Sequence, residues 1–148
     1  MLAKVLTLDH RRLEELVDDF LQNPTQTLFE EIRRAYVNHI YWEEEFLFKK
    51  INNASLLAII RGLEGEHASM WILLDQAKEF LNANDIENAK KNVSTFMRVL
   101  LEHDGAEEGS VYSELDALDE EEQAKLILEE IKLAVVPSDW RCKYCKKS

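Results

Sequence analysis

Apolar residues recur every three or four positions along most of the chain, the spacing of helices that each bury one face. One stripe runs Leu6, His10, Leu13, Val17, Phe20, and a second Leu28, Ile32, Ala35, His39, Glu43, Phe46. A third runs Leu56, Ile60, Leu63, His67, Met70, Leu74, Ala77, Leu81, and a fourth Val93, Phe96, Leu100, His103, Glu107, Val111. Asn23-Pro24-Thr25, Asn52-Asn53-Ala54-Ser55 and Asn82-Ala83-Asn84-Asp85 punctuate them, Ser55 serving as one N-cap and Thr27 with Glu30 forming a capping box. The pattern predicts helices over about 4–22, 26–51, 56–82 and 86–117. A shorter fifth runs from Asp119, boxed with Glu122, to about Val135, before Pro137. Short connections make consecutive helices antiparallel. The expected fold is therefore all-α: an up-down-up-down four-helix bundle over 1–118, an accessory C-terminal helix over 119–136, and a basic Cys-x-x-Cys tail over 137–148.

Composition agrees. The chain has 148 residues, one domain's worth, and only four Gly and two Pro, which disfavours a turn-rich sandwich or barrel. Its formal charge is −11, and Arg141, Lys143, Lys146 and Lys147 concentrate basic residues in the tail, so the body is more acidic still. Such a surface repels phosphates, which argues against nucleic acid or an anionic membrane as partner. With no apolar leader in the first twenty residues and no long apolar run, the expected location is the cytoplasm.

Every main stripe is interrupted by a histidine, and the chain has no others. His10 and His39 are equidistant from Pro24-Thr25, His39 and His67 from Asn53, and His67 and His103 from Asp85, so in helical hairpins all four lie at one height, facing inward. Glu43 and Glu107 follow His39 and His103 by four residues, about one turn further along the same face. The motif repeats: His39-x-x-x-Glu43-Glu44-x-x-Leu47-Phe48 against His103-x-x-x-Glu107-Glu108-x-x-Val111-Tyr112, and Asp9-His10-x-x-Leu13 against Glu66-His67-x-x-Met70. Burying such groups without partners costs several kcal/mol each, a penalty that divalent cations would offset. The candidate ligands are His10, His39, Glu43, His67, His103 and Glu107. Two metals are the natural count, with the carboxylates bridging and a position left open. A metal-free polar network that only fixes helix register is the bland alternative.

This motif set resembles the hemerythrin-like, or HHE cation-binding, family across about 1 to 118. The resemblance implies a non-haem di-iron site, with two Fe ions joined by an oxo or hydroxo bridge, Glu43 and Glu107 as bridges, and an open iron that takes O₂, NO or peroxide. One family position departs: oxygen carriers have a further histidine one turn before the match to His67, where this chain has Leu63. Glu14, Glu64 and Glu66 are candidate substitutes. The loss weighs against reversible O₂ carriage and is easier to square with sensing, iron handling or peroxide chemistry. A di-iron enzyme, peroxidase-like or acting in iron-centre repair, is the alternative reading, and a metal-free adaptor bundle the third.

Three further features have two readings each. Gly62, Gly65, Gly105 and Gly109 cluster near His67 and Glu107, which suggests either a local distortion or a tight helix crossing. Tyr36, Tyr41 and Tyr112 are either core or hydrogen-bond partners of the site. Cys142 and Cys145 are similar to one knuckle of a rubredoxin-like or zinc-ribbon site. Half a thiolate set would need a second chain, giving a homodimer with Zn or Fe shared through the tails; the other reading is two free thiols.

Overall fold

The structure is a computed structural model of the chain, describing residues 2–118 and 121–146. It is all-helical, with no strand among the described residues. Helix α1 spans Leu2–Gln22, α2 Gln26–Trp42, α3 Ala54–Asn82, α4 Ile86–Gly109, α5 Val111–Leu118 and α6 Glu121–Leu133. The first four form a closed ring of contacts: α1 on α2, α2 on α3, α3 on α4, and α4 back on α1. Helix α5 packs on α1 and α4, and Asp116 accepts a hydrogen bond from the Ala3 amide at 3.0 Å.

Capping chemistry sets the boundaries. Thr25, rather than the expected Thr27, caps α2, its hydroxyl accepting from the Leu28 amide at 3.1 Å. Asn53, rather than Ser55, caps α3 by accepting from the Ser55 amide. Asp85 caps α4 through the Asn88 amide, after a turn in which Asn84 takes the left-handed φ of 60° that Asn tolerates. The expected capping box of Asp119 with Glu122 involves side chains outside the described residues.

Two long expected helices are not continuous. The second changes after Trp42 into a π-helical turn, Glu43–Leu47, and then a 3-10 turn, Phe48–Lys50. Its widened turn carries Glu43 and Glu44, both buried, the first facing His39 and His67 and the second bonded to His67. The fourth breaks at Ser110, whose φ of −134° and ψ of −77° leave the helical region, so α5 sets off separately. The glycines do not mark a tight crossing, because a Cβ at any of the four would meet nothing within 4 Å. Gly109 ends α4 beside the break.

Two apolar clusters fill the interior. One joins Val17, Phe20, Phe29, Ile32, Tyr36, Met70, Leu74, Val93 and Phe96; the other joins Leu2, Leu6, Leu47, Phe48, Leu63, Val111, Tyr112 and Leu115, with Ile127 and Ile131 of α6 closing over it. On α1 and α3 the histidine stands between the two, and His103 of α4 lies in sequence between Leu100 of the first and Val111 of the second, on α5. Phe96 meets Tyr36 edge-on at 5.3 Å between ring centroids and is fully buried. Phe96→Ala is expected to cost about 3–5 kcal/mol. Leu126, 61% exposed on α6, should change by less than about 0.5 kcal/mol on replacement by Ala. Urea denaturation of the three proteins, at matched metal content, checks both values.

Candidate metal centre

All six candidate ligands lie in one buried layer. His10 comes from α1, His39 from α2, Glu43 from the π turn, His67 from α3, and His103 and Glu107 from α4. They form two overlapping groups, His10–His39–Glu43–Glu107 and Glu43–His67–His103–Glu107, whose ligand atoms all lie within 4.8 Å of one another. Both carboxylates belong to both groups. Imidazole centroids are 4.6 Å apart for His10 and His39, and 4.9 Å for His67 and His103. Each histidine pair therefore marks one half of the centre.

Behind every imidazole stands an acidic brace. Nδ1 of His10 lies 2.8 Å from Glu108, that of His39 2.7 Å from Asp9, that of His67 2.6 Å from Glu44, and that of His103 2.8 Å from Glu66. An ionised carboxylate only accepts, so each Nδ1–H donates, and this selects the tautomer whose Nε2 lone pair points inward. Each brace is the sequence neighbour of a candidate ligand, yet serves a different helix. Asp9, beside His10, holds His39; Glu66, beside His67, holds His103; Glu44, beside Glu43, holds His67; and Glu108, beside Glu107, holds His10 and also meets Arg11. The braces thus couple all four helices at the height of the site.

The inward atoms fit a cation and are poorly matched without one. Nε2 of His67 is 3.0 Å from Glu43 Oε1, and Nε2 of His39 is 3.2 Å from Glu43 Oε2. Nε2 of His10 and of His103 lie 3.1 and 3.4 Å from Glu107 Oε1. In the tautomer that the braces select, each of these contacts sets an imidazole lone pair against a carboxylate unless a proton or a cation lies between them. Glu107 Oε2 and His103 Nε2 are buried with no hydrogen-bond partner, a condition that metal ligation would remove.

Protons fill the role in part. Burial lowers His39, but the charge of Glu43 and hydrogen bonds to Asp9 and Glu43 outweigh it and hold its pKa well above 6.5. Burial lowers His67 too, and hydrogen bonds to Glu43 and Glu44 raise it on balance. Burial, then the neighbouring His39 charge, push His10 down to about 3. Burial raises Glu43, yet the His39 charge and a hydrogen bond from Glu107 hold it well below the usual range. Burial and the charge of Glu43 push Glu107 well above it. Burial beside each other thus drives the proton affinities of the two carboxylates apart, a conflict that cations joining them would remove.

The hemerythrin HHE cation-binding domain profile matches residues 1–115. The chain belongs to this family. The match spans α1 to α4 and most of α5, and so contains all six candidate ligands. No curated protein and no solved structure matches the chain. Family membership and the two His/Glu groups together point to a non-haem iron site in this hemerythrin-like domain.

The substitutes considered for the histidine absent at Leu63 do not enter either ligand group. Leu63 is buried in the apolar cluster beside Phe48. Glu66 braces His103, and Glu64 reaches the Lys143 ammonium at 3.5 Å. Glu14 is buried on α1, with one oxygen accepting from Arg11 and its carboxyl beside that of Asp104. Two residues that periodicity alone did not single out also belong here. Asp104 follows His103 and stands 3.4 Å from His10 Nε2; burial, then a hydrogen bond with Glu14, raise its pKa to about 10. Tyr112, carried in by the break at Ser110, sets its hydroxyl 2.8 Å from His10 Nε2, 2.9 Å from His39 Nε2 and 2.7 Å from Glu43 Oε2. Of the other tyrosines considered, Tyr36 donates to the His67 carbonyl at 2.8 Å, and Tyr41 packs edge-on against Trp140.

The tail corrects an expectation. Cys142 and Cys145 are joined to each other by a disulfide, so in this state neither is a thiolate available to Zn or Fe shared with a second chain. Cys142 is buried against the main apolar cluster, and Trp140 packs on Trp71 and Tyr41. The Lys143 amide donates to Glu44 at 2.8 Å, so the tail touches the carboxylate that braces His67.

Two outcomes follow for this hemerythrin-like site. His39, His67 and Glu107 have raised pKa values and hold protons that a metal must displace. Metal uptake near neutral pH should therefore release protons, and affinity should rise with pH and fall on acidification. Titration calorimetry in buffers of different ionisation enthalpy measures the release, and its absence contradicts the assignment. Asp9→Ala removes the His39 brace and should weaken metal binding about 10- to 100-fold with helix content unchanged, as read by competition with a chelator.

Proposed function

We propose that this chain is a hemerythrin-like non-haem di-iron protein that binds or responds to O₂, NO, peroxide or iron itself at the His/Glu site. The observation that carries the reading is that Glu43 and Glu107 belong to both ligand groups. Two carboxylates shared by two histidine pairs suit a pair of cations better than a single one. His10 and His39 would hold one iron, His67 and His103 the other, and the two glutamates would join them. Such a pair supplies electrons to small oxidants and binds diatomic ligands. The residues around it fix the imidazoles through Asp9, Glu44, Glu66 and Glu108, and keep bulk water out by burial.

An up-down-up-down bundle over 1–118, with 119–136 as accessory helix and 137–148 as tail, is the arrangement this reading uses. Its support lies in pairs that run in opposite senses along neighbouring helices: Glu30 meets Lys78, Arg33 meets Asp75 at 2.8 Å, and Tyr36 meets His67. No described helix is long and apolar enough to cross a membrane, which accords with a cytoplasmic role. The apolar wall at Leu63 favours sensing or oxidant handling over reversible O₂ carriage.

Freshly purified protein should contain two iron ions per chain by elemental analysis and, after reduction and exposure to air, show the near-ultraviolet charge-transfer bands of an oxygen-bridged ferric pair. Removing the metal should lower Tm, because ion binding adds to folding free energy. A protein that takes up no transition metal, and whose Tm is indifferent to chelator, contradicts the proposal and favours a structural bundle.

A further inference from the structure

The two halves of the centre are built from a repeated segment that ends in Phe48 in one copy and Tyr112 in the other, a difference of one oxygen atom. Leu47-Phe48 follows Glu43-Glu44 at the same spacing as Val111-Tyr112 follows Glu107-Glu108. Phe48 lies parallel to His67, with ring centroids 6.2 Å apart, and Tyr112 lies nearly parallel to His10 at 5.2 Å. On the Phe48 side the ring carries no oxygen, and Nε2 of His67 and of His103 face Glu43 Oε1 at 3.0 Å and Glu107 Oε1 at 3.4 Å. On the Tyr112 side, a phenol oxygen stands between His10 and His39.

That oxygen has more neighbours than its single proton can serve. Besides His10 Nε2, His39 Nε2 and Glu43 Oε2 at 2.7 to 2.9 Å, it has Glu107 Oε1 at 3.4 Å. The imidazole protons are committed to Glu108 and Asp9 at Nδ1. The single O–H can be given to only one of these four neighbours, so the oxygen sits against three more potential metal-binding atoms than its own proton can serve. An electron-pair acceptor shared by all of them resolves the conflict. Adjacent ligands of a six-coordinate ion with bonds of about 2.1 Å are about 3 Å apart. The His39–Glu43 and His10–Glu107 contacts of 3.2 and 3.1 Å, and the three shortest Tyr112 contacts, are of that size. The backbone break at Ser110 is what aims Tyr112 at this point.

We propose that the Tyr112 phenolate is a fifth protein ligand of the metal held by His10, His39, Glu43 and Glu107. Forming the metal–oxygen bond breaks the phenol O–H bond, and the proton passes to solvent; no electron moves. The other metal, held by His67, His103 and the same two glutamates, then keeps the open positions, walled by Phe48 and Leu63. The two ions are chemically unequal, and small oxidants bind on the His67–His103 side. This inference rests on the di-iron reading above.

The test uses the full chain loaded with ferric iron. Wild type should show an intense visible phenolate-to-iron charge-transfer band, and resonance Raman excitation within it should enhance tyrosinate ring modes. Tyr112→Phe, which places at 112 the residue the repeat already has at 48, should retain two irons and lose the band and the ring modes. A chelator should draw one of its two irons about ten-fold faster than from wild type. Two irons in wild type without ring modes, or a band unchanged in Tyr112→Phe, overturns the phenolate ligand while leaving the di-iron reading standing. No bound iron at all overturns both. If Tyr112→Phe fails to fold, the wild-type Raman spectrum decides alone.

Discussion

Four imidazoles and two carboxylates share one buried layer, their inward atoms grouped within 4.8 Å of one another in two overlapping sets while the outward imidazole nitrogens are already committed. Each Nδ1 is held by Glu108, Asp9, Glu44 or Glu66, so each Nε2 is turned toward Glu43 or Glu107. The rest of the molecule is arranged about this constraint. Apolar clusters lie on both sides of the layer, α6 closes one of them, and each brace ties a histidine to the next helix, so helix position and ligand orientation are set by the same contacts. A cation pair relieves the conflict. Without it, burial and the charge of Glu43 push Glu107 up while Glu43 is held down, and His39 and His67 are raised against the cost of their burial.

Much of this was legible in the sequence because turns and helical period are strong signals. Equal spacing of the histidines from Pro24, Asn53 and Asp85 predicted one layer, and the six candidate ligands do converge. The braces were visible in the repeats, as Asp9 beside His10 and Glu66 beside His67, but their target was not. A residue adjacent to an inward ligand is rotated about 100° around the helix, and only the packing decides which neighbour it meets. Glu66 was thus a candidate ligand by spacing and is a brace by geometry. The π turn at Glu43 and the break at Ser110 were hidden for a related reason: a local change of helical pitch leaves the apolar stripe nearly intact while re-aiming single side chains. That re-aiming brings Glu44 to His67 and Tyr112 to His10. The tail misled differently, since Cys-x-x-Cys spacing serves a metal knuckle and a local disulfide equally well.

The centre is symmetric in ligand type and asymmetric in surroundings. Tyr112 and Asp104 crowd the His10–His39 half with oxygen, whereas Phe48 and Leu63 leave the His67–His103 half apolar. The tail adds a second difference, because the Lys143 amide reaches Glu44 behind His67 and nothing comparable is described behind His10 beyond the exposed Arg11. A tail-contacted half faced by Phe48 beside a half crowded with oxygen is the asymmetry on which the proposed single open metal position rests.

The most direct test of the paired centre is a crystal structure of the metal-loaded chain with anomalous data at the iron edge. The account predicts two anomalous peaks about 3.5–4 Å apart, one between the Nε2 atoms of His10 and His39 and the other between those of His67 and His103, with Glu43 and Glu107 reaching both. A single peak, or peaks confined to the cysteine tail or the acidic surface, would contradict it.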